Sequence, residues 1–279
     1  MNIRRFIPAV AASAMAAGLL SVCAGAEDTP AGYVYFMADK TTIGQGFTVQ
    51  PTKVAFYEGD TGLDIVERVA DYTLDDNGNF ISSFADEVGE SYFPDAVADV
   101  CPEVSGRATE GYLGMGDYTS DSLWLWFLND ELGQENIGEY TPVDGDVICY
   151  EFTVYCGGAD LGLDYSSLGG SAALKPLTNK AELIKACAEI KEAGKTDDPI
   201  YTSAMEALAI YESTQEDIDI AVDSANRLLS GEISAVEPDN TPVAEEDKGS
   251  PDTGVEGIAA ASAITVLAGA GIALSRKRR

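Results

Sequence analysis

Aromatic side chains are the groups in this sequence best placed to meet a partner. Tyr112, Trp124, Trp126 and Tyr140 fall in one stretch with Tyr150, and both tryptophans of the chain are among them. Aromatic faces at this density suit a flat ligand or a sugar ring, gripped by stacking and apolar contact. Asn129 follows the tryptophan run and adds an amide that both donates and accepts hydrogen bonds. A plainer role competes with this one. Trp124 and Trp126 are two residues apart, so they share one face of a strand, and a single aromatic row in a sheet is ordinarily core. Asn129 with Asp130 at the strand end equally suits a turn.

What the chain lacks is as informative. It contains no His among its 279 residues. That removes Ser-His-Asp and Cys-His catalysis, imidazole zinc sites and imidazole proton transfer. Paired carboxylates remain chemically open, but 47 acidic residues make close pairs by chance and no motif singles one out. The reading is therefore non-catalytic. The formal charge is −30, and six of the 17 basic residues but only one acid lie outside residues 27–254, so the middle is more acidic still. Such a surface repels nucleic acid and anionic membrane. No metal site is expected. Asp75-Asp76-Asn77-Gly78-Asn79 resembles a calcium loop only until Gly78 is set at its sixth position. Thr73 and Phe84 then occupy the first and last positions, where carboxylates are needed.

Cys23 belongs to an export leader, leaving Cys101, Cys149, Cys156 and Cys187. Four exported cysteines permit two disulfides in three connectivities. Cys101 with Cys149 or with Cys156 is the favoured pair. Cys149 and Cys156 lie seven residues apart on one strand, a poor geometry for bonding to each other. Cys187 sits on an apolar helix stripe and reads as a buried thiol.

These side chains need elements to hold them. Aromatic and β-branched runs at 124–129 and 147–152 flank a connection bearing Asp144-Gly145, which suits a tight turn between paired strands. Strands are also expected over 31–38, 47–57 and 80–84, with Pro51 marking the second as an edge or a break. Asp60 or Thr61 caps a helix with apolar positions Leu63, Val66, Val69 and Ala70. Residues 85–120 read as a long irregular excursion. The sheet domain spans 31–165, and a Gly/Ser-rich passage at 166–176 marks a boundary. Residues 177–233 then switch to a helical period in three segments. Asn179 with Glu182 and Thr214 with Asp217 form capping boxes.

The ends read as targeting segments. Residues 1–26 form a signal peptide with Arg4 and Arg5 at its start, an apolar run, and a small-x-small cleavage site at Ala24 and Ala26. Residues 234–249 are an acidic linker. Ser250-Pro251-Asp252-Thr253-Gly254 precedes an uncharged apolar segment, read as spanning the membrane over 257–275, and then Arg276-Lys277-Arg278-Arg279. The expectation is an exported protein at the cell surface. It meets the membrane only through its C-terminal segment, before processing.

Three stretches carry resemblances. Residues 250–279 resemble the cell-wall sorting signal of Gram-positive surface proteins, whose pattern is Leu-Pro-x-Thr-Gly; Ser250 departs at the first position. The resemblance implies a sortase that cleaves between Thr253 and Gly254 and joins Thr253 to peptidoglycan. Residues from about 42 to 162 resemble the transcobalamin-like C-terminal domain family. The matching positions are Phe56-Tyr57-Glu58-Gly59-Asp60-Thr61, the run from Trp124 to Asn129, Gly138-Glu139-Tyr140 and Asp144-Gly145-Asp146-Val147. That resemblance implies an α+β class: a small β-grasp-like sheet domain with one packing helix, followed here by a small three-helix module. It also implies cobalamin as a ligand to test, although no His here can coordinate cobalt. Within about 178–233, Tyr201-Thr202, Met205-Glu206-Ala207-Leu208 and the run from Ser213 to Asp219 resemble the FIVAR-type helical module of cell-wall proteins. It implies a spacer or a glycan-associated repeat.

Two functions follow from these readings. One is a surface-anchored binding protein for a corrinoid, another flat ligand or a sugar. The other is a spacer or adhesin component whose partner is another surface protein. Exposure of Trp124 and Trp126 in a concave surface would favour the first; their burial favours the second.

Overall fold

The computed structural model describes residues 29–78, 80–101 and 110–232. The signal peptide with Ala24 and Ala26, the acidic linker, and the tail with Ser250, Pro251, Asp252, Thr253 and Gly254 lie outside the described residues. Among the described residues no helix is long and apolar enough to cross a membrane.

The fold is mixed α+β. In chain order the elements are β1 (Gly32–Asp39), β2 (Phe47–Phe56), α1 (Gly62–Glu67), β3 (Tyr72–Leu74), β4 (Ile81–Ala85) and α2 (Asp95–Ala98). There follow β5 (Tyr112–Gly114), β6 (Leu123–Leu128), β7 (Glu131–Leu132), β8 (Val147–Thr153), α3 (Ala181–Glu192), α4 (Pro199–Ala209) and α5 (Gln215–Ser230). Five strands make one sheet in the order β2-β1-β8-β6-β7, and β3-β4-β5 make a second, smaller sheet. The β1–β8 pair is parallel, and the other pairs of the larger sheet are antiparallel. β6 and β8 pair from Leu123 opposite Thr153 to Leu128 opposite Ile148, which is the strand pair read from the sequence. β2 is an edge strand. Its register with β1 slips between Phe36 and Ala38, where Pro51 sits and where a missing N–H does least harm.

The period of two along β1, β6 and β8 divides the larger sheet into two apolar faces. Val34, Phe36, Trp124, Ile148, Tyr150 and Phe152 point to one face, where α1 and the small sheet cover them with Ile65, Val66, Ile81, Phe84 and Leu113. Tyr35, Met37, Phe127, Val147 and Cys149 point to the other face, against Leu183, Ile184, Cys187 and Ile190 of α3. Ala204, Leu208, Ile218, Ala225 and Leu228 complete that second core. The three helices expected as a module of their own thus share a core with the sheet. The apolar stripes exist at the predicted spacing, and their partner is the sheet as well as one another.

Caps set the helix ends. Thr61 with Asp64 and Thr214 with Asp217 make reciprocal capping boxes. α3 is held differently from the expectation. Asn179 does not cap it; Asp130 does so from the β6–β7 hairpin, its Oδ1 accepting from Lys180 N at 2.7 Å and Ala181 N at 2.8 Å. The hairpin presents that carboxylate because Asn129 and Asp130 both take positive φ, 49° and 70°, at its tip.

The expected disulfides are absent from the described structure: Cys101, Cys149, Cys156 and Cys187 are all free thiols. Cys101 packs in the aromatic core and Cys149 in the helical core, so the sheet separates them. The Cys156 thiol faces Asp121 Oδ2 at 3.9 Å. Burial pushes the Cys101 thiol up to about 11 and the Cys187 thiol up to about 12, which makes both poor nucleophiles.

Candidate functional site

The five residues singled out as a ligand platform do not form one. Trp124 is 5% exposed, packs edge-on against Phe84 at 4.9 Å, and donates from Nε1 to the Leu113 carbonyl at 2.8 Å. Trp126 lies on the same strand face. Its indole covers Gly133, stacks obliquely on Tyr140 at 5.6 Å and donates to the Glu135 carbonyl. Tyr140 is buried and its hydroxyl donates to Asp146. Burial, that hydrogen bond and the Asp146 charge push its pKa well up. Asn129 spends both ends of its amide on the turn: Oδ1 accepts from Val147 N at 2.9 Å, and Nδ2 donates to Asp146 Oδ1 at 2.8 Å. A buried tyrosine and a turn amide converging on Asp146 make a structural network.

Tyr112 stands at a surface hollow. It borders two grooves on the small sheet. One, of about 510 Å³, is lined by Glu67, Ala70, Asp71, Tyr72, Leu74 and Tyr112. The other, of about 280 Å³, is lined by Thr73, Ser82, Ser83, Tyr112, Gly114, Met115 and Asp117. Register explains the second groove. Ser83 pairs with both Thr73 and Gly114, and alternation brings Tyr112 to the same side. Thr73 Oγ1 and Ser83 Oγ share a hydrogen bond of 2.6 Å. Gly114 is required there, because a Cβ would stand 2.4 Å from the Ser82 carbonyl oxygen. The result is a shallow shelf of hydroxyls beside one aromatic ring. Glu67 and Asp71 at its flank disfavour an anionic ligand.

A second cluster lies inside the molecule. Asp39, the last residue of β1, and Glu151, within β8, are register partners, and both point to the helical face. Lys180 comes down from the start of α3 between them, its Nζ donating to Asp39 Oδ2 at 2.8 Å and to Glu151 Oε2 at 2.9 Å. All three are buried, at 0%, 6% and 8% exposure. Loss of water pushes the Glu151 carboxyl up, and Lys180 pulls it part of the way back. The two neighbouring carboxylates hold Lys180 protonated in spite of its burial. Asp39, Cys149 and Glu151 bring potential metal-donor atoms within 4.8 Å of one another. The Lys180 ammonium already sits between the carboxylates and neutralises part of their charge, so this donor set does not fit a cation.

Sequence reasoning passed over this cluster, although a signal was present. Glu151 interrupts a strand of otherwise apolar and aromatic residues, and Asp39 closes another. A charged residue inside an apolar strand is buried only when paired, and Lys180 beside the α3 stripe was its available partner. No family model and no curated protein matches this chain.

Proposed function

We propose that this chain is a non-catalytic surface module of a Gram-positive cell wall, serving as a spacer or adhesin component. The signal-like start and the tripartite tail support export, sortase processing and linkage to peptidoglycan. The observation that carries the spacer reading is the burial of Trp124 in the core, with Trp126 half-buried against it and stacked on Tyr140. The order β2-β1-β8-β6-β7, with α1 following the first two strands, supports the β-grasp-like description and the resemblance to the transcobalamin-like domain. Cobalamin itself is not proposed as the ligand, since Trp124 and Tyr140 are buried and the candidate rings do not share one open surface.

A second reading rests on the Tyr112 shelf. One ring beside hydroxyls is the minimum equipment for holding a neutral sugar. Thermal shift of the exported chain against glycans and corrinoids separates the two readings. A spacer shows no saturable shift with either. A saturable shift with a glycan that Tyr112→Ala abolishes would replace the spacer by a sugar binder.

A further inference from the structure

We propose that Lys180 and Asp39 condense into an intramolecular isopeptide bond, with Glu151 as the proton relay. The inference stands apart from the proposed function and rests on the interior cluster alone.

Three observations carry it. First, the reacting groups are already in contact: Lys180 Nζ lies 2.8 Å from Asp39 Oδ2. The Lys180 backbone is fixed by Asp130, which accepts from its amide, and the side chain is enclosed between helix and sheet. Contact held in this way replaces the encounter that makes amide formation slow in water. Second, the two Asp39 oxygens are differentiated. Oδ1 accepts from Thr41 N at 3.3 Å and Thr41 Oγ1 at 3.2 Å, while Oδ2 faces the ammonium. Donors on Oδ1 polarise the carbonyl and stabilise negative charge there as the bond forms. Oδ2 is left as the departing oxygen. Glu151 lacks that arrangement. Its Oε1 has only the Cys149 thiol at 4.0 Å, so it is the helper and Asp39 the electrophile. Third, two carboxylates and one ammonium share a site from which water is largely excluded. Amide formation removes one positive and one negative charge from it, relieving a desolvation cost that pairing offsets only in part.

The step balances without a co-reactant. The Lys180 ammonium loses a proton through Glu151 to Asp39 Oδ2, which leaves a neutral amine and a neutral carboxyl. The amine lone pair attacks Asp39 Cγ and the C–N bond forms. Glu151 takes a second proton from that nitrogen and delivers it to Oδ2. The C–Oδ2 bond breaks and water leaves. An ammonium and a carboxylate become an amide and one water, and Glu151 returns to its starting state. A carboxyl that burial has pushed above its ordinary range suits this relay. The new bond would join residues 141 positions apart, tying the second strand of the sheet order to the first helix of the opposite layer.

Mass spectrometry of the full chain tests this. The expected result is a mass one water below that of the same polypeptide without the bond, with one branched peptide joining Asp39 to Lys180 after digestion. Lys180→Arg should give linear peptides only, and Glu151→Gln should leave the bond undetectable while circular dichroism remains that of the parent. Linear Asp39 and Lys180 peptides from the folded parent chain would overturn the proposal. So would a water lost at any other pair of residues. A bond that forms as completely in Glu151→Gln as in the parent would remove Glu151 from the mechanism.

Discussion

The two faces of the five-stranded sheet are both covered, and they are built in different ways. One is sealed by rings. Phe84 of the small sheet stands edge-on to Trp124 and to Tyr150, at 4.9 and 5.2 Å, and Phe152 leans on Trp124 at 5.1 Å. A three-stranded sheet has little apolar surface of its own, so a few large side chains must close the gap. The other face is covered by helices carrying Ala186, Ala188, Ala204 and Ala225, whose small side chains allow close approach. It also encloses an ionic cluster: Asp39, Glu151 and Lys180 together, out of water. The comparison reverses a habit of reading. The groups that look like a ligand platform are structural filling, and groups that look like surface charge are interior.

The largest expected effect lies on the ionic face. Lys180→Met leaves Asp39 and Glu151 side by side in the core without their bonded cation, and relative to the ion-paired chain before any amide forms the expected loss of stability at neutral pH is about 3–5 kcal/mol. The loss should shrink as pH falls, because a carboxyl that takes up a proton no longer needs a partner. Urea unfolding at several pH values measures both. A variant as stable as the parent at neutral pH would show that the cluster is solvated, and the contrast between the faces would disappear.

Asp160 is buried at the edge of the aromatic core. It accepts from Val154 N at 2.7 Å and from the Thr153 hydroxyl. Burial nevertheless pushes its carboxyl from an ordinary 3.8 up to about 6. A carboxyl whose folded pKa is raised binds its proton more tightly in the folded state. Its contribution to stability is then full below pH 3.8 and is lost as pH rises through about 6. The amount is on the order of 2–3 kcal/mol for a shift of that size. Asp160→Asn keeps an acceptor for Val154 N and should flatten the slope of stability against pH over that window. Parallel slopes in the two proteins would place the titration elsewhere.

A smaller effect is expected on the aromatic face. Trp124→Phe keeps a ring but leaves the Leu113 carbonyl without its indole donor, a loss of about 1–2 kcal/mol. If Trp124 instead served a ligand, the variant would fold with unchanged stability and lose binding.

Much of the sheet was legible in advance, because its signals are local. Alternation marks β6 and β8, Asp144-Gly145 marks a turn with Gly145 at φ 92°, and Thr214 with Asp217 marks the start of α5. The layer arrangement was not legible. An apolar stripe on α3 states that it must be covered, not by what, and the sheet and the neighbouring helices meet that requirement equally well in a sequence pattern. Capping by Asp130 and the meeting of Asp39 with Lys180 link residues 51 and 141 positions apart. No short window contains such a pair. The platform reading failed for a related reason: an aromatic row has the same spacing whether it faces a ligand or Phe84.

The smallest expected effect sharpens the comparison, because it concerns the same chemical pairing in the opposite setting. Arg227 NH1 and Asp223 Oδ2 are one helical turn apart on α5 at 3.9 Å, and their side chains are 43% and 73% exposed. Water screens that pair and both side chains lose freedom in making it, so Arg227→Ala should change stability by about 0.5 kcal/mol or less, and less still in high salt. Lys180 makes bonds of 2.8 and 2.9 Å and is buried away from water. If burial is what gives an ion pair its weight here, the two substitutions must differ several-fold when measured in the same buffer. Comparable losses from Arg227→Ala and Lys180→Met would mean that charge count, and not enclosure between α3 and the sheet, governs stability in this strongly acidic chain.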